Sequence, residues 1–102
     1  MKRTYTKEQA DGMAAEMSFL VNGDYIAKKL PQSLAAMLKD GRVKSVEFDH
    51  FAPEHLQWDG TIFVNFARAN IKAFDVVNEL LESHRPDELW FETEKRMRMW
   101  WD

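Results

Sequence analysis

Apolar residues in the first forty positions recur with the period of an α-helix. The segment Thr6–Gln9 has the form of a capping box, in which the Thr6 and Gln9 side chains close the first turn. The apolar positions that follow share one helical face: Ala10, Met13, Ala14, Met17, Leu20 and Val21. Asn22–Gly23 is expected to end this helix, because both residues tolerate the left-handed conformation of a C-terminal cap.

Two shorter helices are predicted next. Asp24 can cap a helix over Tyr25–Leu30, which Pro31 breaks or kinks. Pro31 also suits the first turn of a third helix over Gln32–Lys39, because a proline there sacrifices no helical hydrogen bond. Asp40–Gly41 then ends the helical half of the chain.

From residue 42 the hydrophobic period changes to two. Residues 44–50 alternate between the two faces of a half-buried strand, and residues 52–60 form a loop. Residues 61–67 form a second strand, which pairs antiparallel with the first in the simplest arrangement. Residues 70–84 carry a broad apolar face at helical spacing, so they predict a further helix.

The segment 88–101 admits two interpretations. As a helix it would gain two ion pairs at a spacing of four residues, Glu92–Arg96 and Glu94–Arg98. As a strand, or a hairpin turning at residues 93–95, it separates the side chains more cleanly, and its aromatic content favours this interpretation. One strand face would hold Leu89, Phe91, Thr93, Lys95, Met97, Met99 and Trp101, and the other Trp90, Glu92, Glu94, Arg96, Arg98 and Trp100.

These elements predict a single α+β domain over residues 1–102. Its order is α-α-α-β-β-α-β, with an eighth element, a further strand, if the last segment is a hairpin. The N-terminal helices and the 70–84 helix would cover one face of a small antiparallel sheet of three or four strands.

Composition excludes several classes of protein. The chain has no cysteine, which removes disulfides and thiolate chemistry. No apolar run approaches the roughly 18 residues of a membrane-spanning helix, and the N-terminus lacks the features of a signal peptide. A cytoplasmic protein without membrane attachment is therefore expected, in the style of small bacterial or phage accessory proteins.

Catalytic and metal-binding motifs are absent from the sequence. The four glycines are dispersed, so they form no phosphate-binding loop, and no serine stands in a nucleophile-elbow motif. His50 and His55 are the candidate metal ligands, but no regular element sets their spacing. A non-enzymatic protein without a cofactor is expected, and a metal-dependent activity at these two histidines is the second alternative.

Nucleic-acid binding is the first alternative, because helix, turn, helix, kinked helix and two strands is the order of a winged helix-turn-helix. Residues 32–39 would be the reading helix and residues 52–60 the wing. The reading helix has no arginine, and the wing has Glu54 and Asp59 but no basic residue. A net charge of −3 also disfavours binding to a polyanion.

Protein binding has positive support. Tryptophan, methionine and arginine are enriched at the centres of protein interfaces, and all three concentrate in the last fourteen residues before Asp102. The neighbours Trp100 and Trp101 point to opposite faces of a strand, so one of them should be exposed. A C-terminal edge strand would also invite strand addition or homodimerisation. The predicted partner-binding residues, in an inhibitor-like or accessory protein, are Trp58, Trp90, Arg96, Arg98, Trp100 and Trp101.

Overall fold

The computed structural model of the chain describes residues 2–22, 25–55, 57–67 and 72–102. The strands are β1 Arg3–Tyr5, β2 Val21–Asn22, β3 Tyr25–Ile26, β4 Ser45–Phe48, β5 Thr61–Asn65, β6 Glu88–Thr93 and β7 Arg96–Trp100. The α-helices are α1 Ala10–Met17, α2 Leu30–Lys39 and α3 Lys72–His84, and two 3-10 turns cover Lys7–Gln9 and Pro53–His55. No helix within these described ranges has the length and apolar character needed to cross a membrane.

Five strands form one antiparallel sheet in the order β1-β4-β5-β7-β6, and β2 and β3 form a separate hairpin. The predicted α+β class is confirmed, but the main sheet has five strands rather than three or four. The missed strand is β1, whose three residues Arg3–Tyr5 are too short and too polar to show a period. It is a strand because it pairs with β4, which is distant along the chain: Arg3 lies opposite Phe48 and Tyr5 opposite Val46.

The predicted helix over Tyr25–Leu30 is wrong. Tyr25–Ile26 instead pairs antiparallel with Val21–Asn22, and the Ala27 N–H extends this hairpin by donating to the Leu20 carbonyl at 3.0 Å. The predicted cap Asp24 lies outside the described residues. Within the part of the chain that the structure describes, a hairpin therefore lies where the winged-helix interpretation required a second helix.

Helix boundaries differ from the predicted ones at several points. Helix α1 ends at Met17 rather than continuing to Val21, and the buried Leu20 already belongs to the connection to β2. Helix α2 begins at Leu30, so Pro31 lies in its first turn as predicted. The described part of the 70–84 helix begins at residue 72 and ends at His84 as expected.

The core lies between the helices and one face of the sheet, called here the inner face. Strand register aligns two rows of inner-face residues across the sheet, and α1, α2 and α3 pack their apolar faces on these rows. The fully buried sheet positions are Val46, Phe48, Ile62, Val64, Met97 and Met99, and the helical ones include Met13, Met17, Leu34, Leu38, Val76 and Leu80.

The C-terminal segment is a β-hairpin, one of the two forms that the strand interpretation allowed, and the helical interpretation is wrong. A register shift after Phe91 places Thr93 opposite Arg96, so its predicted place on the face of Met97 is also wrong. Strands β6 and β7 pair antiparallel and are joined by a turn at Glu94–Lys95, within the predicted turn of residues 93–95. Strand β7 lies between β5 and β6, so the end of the chain is an interior strand of the sheet. This interior position explains why residues 96–101 include so many large apolar side chains.

Candidate protein-binding surface

The face of the sheet opposite the core, called here the outer face, carries a row of large and charged side chains. Register places Thr4 opposite Glu47, Glu47 opposite Phe63, Phe63 opposite Arg98, and Arg98 opposite Trp90. Side chains that are directly opposite on neighbouring strands point to the same face. The row therefore crosses all five strands.

Phe63 lies at the centre of the outer face. Its side chain is 9% exposed, yet it does not belong to the core cluster on the inner face. Two cations cover it instead: the Arg96 guanidinium carbon is 4.0 Å and the Lys2 ammonium nitrogen 5.6 Å from its ring centroid. Cation–π contact and the alkyl stems of both side chains thus shield this ring from water.

Glu47 holds both of these cations in place. Arg96 Nη1 donates a hydrogen bond to Glu47 Oε2, and Lys2 Nζ lies 3.3 Å from Oε1. The Asn65 side-chain amide donates to Oε2 at 2.7 Å, and Arg96 also donates to Glu92 at 2.9 Å. Only 12% of the Glu47 side chain is exposed, so its partners shield this charge from water.

The acidity of Glu47 follows from this network. Burial by itself would raise the pKa of the Glu47 carboxyl, but hydrogen bonds from Arg96 and Asn65, together with the Arg96 charge, lower that pKa below its ordinary value. The ionised carboxylate is therefore the form that the fold stabilises.

Glu47→Gln should lower the free energy of unfolding by about 1–2 kcal/mol at neutral pH, because hydrogen bonds to a charged group are lost. A carboxyl whose pKa is lowered on folding stabilises the fold above its unfolded-state pKa and loses that contribution as the pH falls through the folded-state pKa. The difference between wild type and variant should therefore shrink below the ordinary pKa of 4.5. Urea unfolding measured from about pH 7 to about pH 3 tests this.

Glu94→Gln is the matched control for this pH series, because Glu94 lies exposed in the hairpin turn. Its difference from wild type should stay small and change little with pH. A difference between Glu47→Gln and wild type that grows as the solution is acidified would contradict the assigned role of Glu47.

Trp90 lies at the β6 end of the outer row, where the sheet ends. Its side chain is 44% exposed, and the Arg98 guanidinium carbon lies 4.4 Å from its ring centroid. Arg98 Nη1 is also 3.6 Å from a carboxylate oxygen of Glu88. The indole and the guanidinium are thus held together on the open side of the sheet.

Trp100 and Trp101 point to opposite faces, as their adjacency in a strand predicted. Trp101 is 2% exposed and lies in the core, where its indole N–H donates to the His84 carbonyl at 2.6 Å. Trp100 lies on the outer face and is partly exposed, and its indole N–H donates to the Asp59 carbonyl at 3.1 Å. Of the two neighbours, Trp100 is therefore the one that a partner can reach.

Trp58, one of the predicted partner contacts, lies in the core rather than at the surface. It is 3% exposed, its indole N–H donates to the Thr61 carbonyl at 3.0 Å, and its ring centroid is 6.3 Å from that of Trp101. The loop sequence around Trp58 is polar, but the loop folds this one side chain back onto the core. Four of the six predicted contacts, Trp90, Arg96, Arg98 and Trp100, share the outer face, and Trp58 and Trp101 do not.

The two candidate metal ligands are not part of a ligand cluster. His50 is exposed, and its Nε2 lies 3.7 Å from an Asp49 oxygen and 3.8 Å from an Asp59 oxygen. His55 is exposed in the 3-10 turn after β4. Among the residues that the structure describes, no group of three or more histidine, aspartate or glutamate side chains is arranged to hold a metal ion.

Sequence reasoning did not identify Phe63, Glu47 and Asn65 as parts of this surface. Strand alternation did place Phe63 and Asn65 on the face away from Ile62 and Val64. What it lacked was the neighbour relation between β5 and β7, which brings Arg96 beside all three side chains. Comparisons with protein-family models, with curated proteins and with solved structures find no match.

Proposed function

We propose that this chain is a non-enzymatic protein-binding domain whose contact surface consists of Trp90, Arg96, Arg98 and Trp100, called here the aromatic–basic surface. The observation that carries the proposal is Trp90, a large aromatic ring that is 44% exposed on the open face of the sheet with a guanidinium stacked on it. Tryptophan and arginine are the residue types that contribute most binding energy in protein interfaces.

The order already present in this surface supports the proposal. Arg98 stacks on Trp90 and lies 3.6 Å from a Glu88 oxygen. Arg96 lies over Phe63 and is bonded to Glu47 and Glu92. Immobilising a flexible side chain on binding costs about 0.5–1.5 kcal/mol. Both arginines are already positioned in the free chain. Binding a partner therefore requires less further loss of side-chain entropy.

The charge balance of the outer face favours a protein partner over nucleic acid. Three cations of the outer face are paired with carboxylates on the same face: Lys2 and Arg96 with Glu47, Arg96 with Glu92, and Arg98 with Glu88. Nucleic-acid affinity depends on cations that neutralise phosphates. The helix considered for base reading, α2, ends in Lys39, which is paired with Asp11.

Photo-crosslinking tests the proposal. The crosslinker p-benzoylphenylalanine is incorporated at position 90 or, as a control, at position 74, in cells that naturally make the protein. Phe74 lies on α3, away from the outer face, and its exposed fraction of 67% is larger than that of Trp90. Position 74 therefore controls for nonspecific capture. We expect a discrete crosslinked protein from position 90 that position 74 does not give.

Trp90→Ala should then weaken binding of that protein by about 2 kcal/mol, or about thirtyfold in Kd, with an unchanged circular dichroism spectrum. Phe74→Ala should leave the Kd unchanged, which isothermal titration calorimetry would measure. Equal crosslinking from the two positions, or loss of binding in Phe74→Ala alone, would place the contact elsewhere and contradict the proposal.

A further inference from the structure

Strand β6 is an edge of the main sheet. Within the described residues it pairs only with β7, so its other side has no neighbouring strand. The opposite edge, β1, has three residues, of which Tyr5 is buried and Arg3 is paired with Glu16. The six-residue strand β6, Glu88–Thr93, is therefore the longer and more open of the two edges.

Hydrogen bonding around β7 shows which backbone groups of this hairpin face outward. The Trp101 N–H donates to the Gly60 carbonyl at 2.9 Å, and the Phe66 N–H donates to the Lys95 carbonyl at 2.8 Å. Odd-numbered residues at both ends of β7 thus direct their backbone groups to the β5 side. Since successive residues of a strand direct these groups to alternate sides, the even-numbered residues of β7 bond to β6.

The consequence for β6 follows from its register. Trp90 lies opposite Arg98, so the backbone groups of Trp90 face β7. Leu89 and Phe91, its two neighbours, must then present their N–H and C=O groups at the open edge. These four groups are arranged to pair with one further strand.

The side chains at this edge are exposed on both faces of the sheet. Trp90 on the outer face and Phe91 on the inner face are each 44% exposed. The Phe91 ring is stacked on Phe66, with ring centroids 6.1 Å apart, which leaves its other side uncovered. A strand added beside β6 would place side chains next to both rings at once.

The charges along the edge distinguish between possible occupants. Glu88, Glu92 and Glu94 are exposed along β6 and its turn, while Arg96 and Arg98 lie one strand further in. A second copy of this chain paired about Trp90 would bring Glu88 of one copy opposite Glu92 of the other, and like charges directly opposite destabilise a strand pair. Glu88 and Glu92 are 48% and 40% exposed, and their arginine partners lie on the β7 side. A basic segment on the open side of β6 would therefore meet these two carboxylates directly.

We infer that β6 receives an extended segment of the partner protein as a sixth strand, and that basic and apolar residues alternate in this segment. Its basic side chains lie on the outer face beside Glu88, Trp90 and Glu92, and its apolar side chains lie on the inner face beside Leu89 and Phe91. This inference rests on the proposed function, because it specifies how the partner that contacts Trp90 is bound.

Synthetic peptides test the pattern directly. The probe is an acetylated and amidated peptide of about seven residues in which lysine and valine alternate. One control peptide has glutamate in place of lysine. The other has the same composition as the probe, with its lysines and valines in two separate blocks. The alternating lysine–valine peptide should bind about tenfold more tightly than either other peptide, because opposite-charge pairs replace like-charge pairs and the apolar side chains share one face. Equal affinities for the three peptides would overturn the inference.

N-methylation tests whether binding uses the strand edge. One peptide series is methylated at the valine nitrogens and the other at the lysine nitrogens, so that each removes the donors from one side of the bound strand. Loss of binding in one series alone is expected, and equal affinity of the two series would overturn strand addition. By NMR, the amides of Leu89 and Phe91 should become protected from exchange on binding, while the amide of Trp90 changes little.

A double variant tests the role of charge. The double variant Glu88→Gln/Glu92→Gln should weaken binding of the lysine–valine peptide about tenfold. The control double variant Glu54→Gln/Glu82→Gln, at exposed sites away from the edge, should leave that binding unchanged.

The remaining outcomes identify the occupant of the edge. A stable dimer, detected by analytical ultracentrifugation and dissociated by Phe91→Glu, would make a second copy the occupant and overturn the inference. If position 90 crosslinks a partner while the edge binds no peptide, the proposed function stands and strand addition fails. If the edge binds the peptide but position 90 captures nothing, the proposed function fails instead.

Discussion

Trp101→Ala should lower the free energy of unfolding by about 3–5 kcal/mol, the typical cost of truncating a buried large aromatic residue to alanine. The side chain is 2% exposed, its ring lies against Trp58, and its indole N–H satisfies the His84 carbonyl at the end of α3. Removing it leaves a cavity between β7, the 49–60 loop and the end of α3. Domains of this size have total stabilities of about 5–15 kcal/mol, so this loss is a large share.

Two further variants identify the source of the Trp101 effect. Trp101→Phe keeps an aromatic ring but removes the indole donor, so it should cost less, about 1–3 kcal/mol. Trp100→Ala changes the neighbouring residue on the outer face and should cost clearly less than Trp101→Ala. Urea unfolding followed by circular dichroism measures all three, and equal losses for Trp100→Ala and Trp101→Ala would contradict the opposite placement of the two rings.

Gly60→Ala should destabilise the fold by about 3–4 kcal/mol, for two reasons that add. Gly60 has a φ of +91°, a conformation that residues with a Cβ atom adopt only with strain. A Cβ atom at this position would also collide with the Trp101 carbonyl oxygen and the Asn22 side-chain amide, which are hydrogen-bonded to each other. The variant would therefore disturb the place where the β2–β3 hairpin meets the end of β7.

The other glycines separate strain from collision. Gly41 has a φ of +84° but open space around it, so Gly41→Ala should cost only the strain, about 1–2 kcal/mol. Gly12 lies within α1 with open space around it, so Gly12→Ala should raise the stability by about 0.5–1 kcal/mol. Thermal unfolding should show Gly60→Ala as the least stable variant, Gly41→Ala as the next and Gly12→Ala as the most stable. If Gly60→Ala is as stable as Gly41→Ala, the expected collision with the Trp101 carbonyl does not destabilise the fold.

The strand alternation of residues 88–101 was readable from the sequence because its information is local. Alternation of apolar and charged residues along 88–101 assigned each side chain to a face, and the buried Trp101 and partly exposed Trp100 agree with that assignment. The helical stripes of α2 and α3 were equally local, since one apolar face at a period of 3.6 predicts both the helix and its buried side.

The failures share a different physical cause. Tyr25–Ile26 forms a strand because Val21–Asn22 pairs with it, and the propensities of such short segments are too weak to compete with that pairing. Trp58 lies in a polar loop, but the core beside Phe48 and Trp101 leaves space for its ring. The residues adjacent in the sequence indicate neither which strand pairs with a segment nor which side chain fills a given place in the core.

The sequence by itself determined the α+β class and the opposite faces of Trp100 and Trp101, because backbone geometry alternates side chains with a set period. It left helix, strand and hairpin open for residues 88–101, and its alternation does not hold at Thr93, where the register shifts. Only the tertiary structure decided which strands are neighbours. That order brings Arg96 onto Phe63 and Glu47, buries Trp58, and leaves β6 at the edge with Trp90 exposed. Strand order depends on how separate apolar faces cover one another, and this packing joins residues that are far apart along the chain.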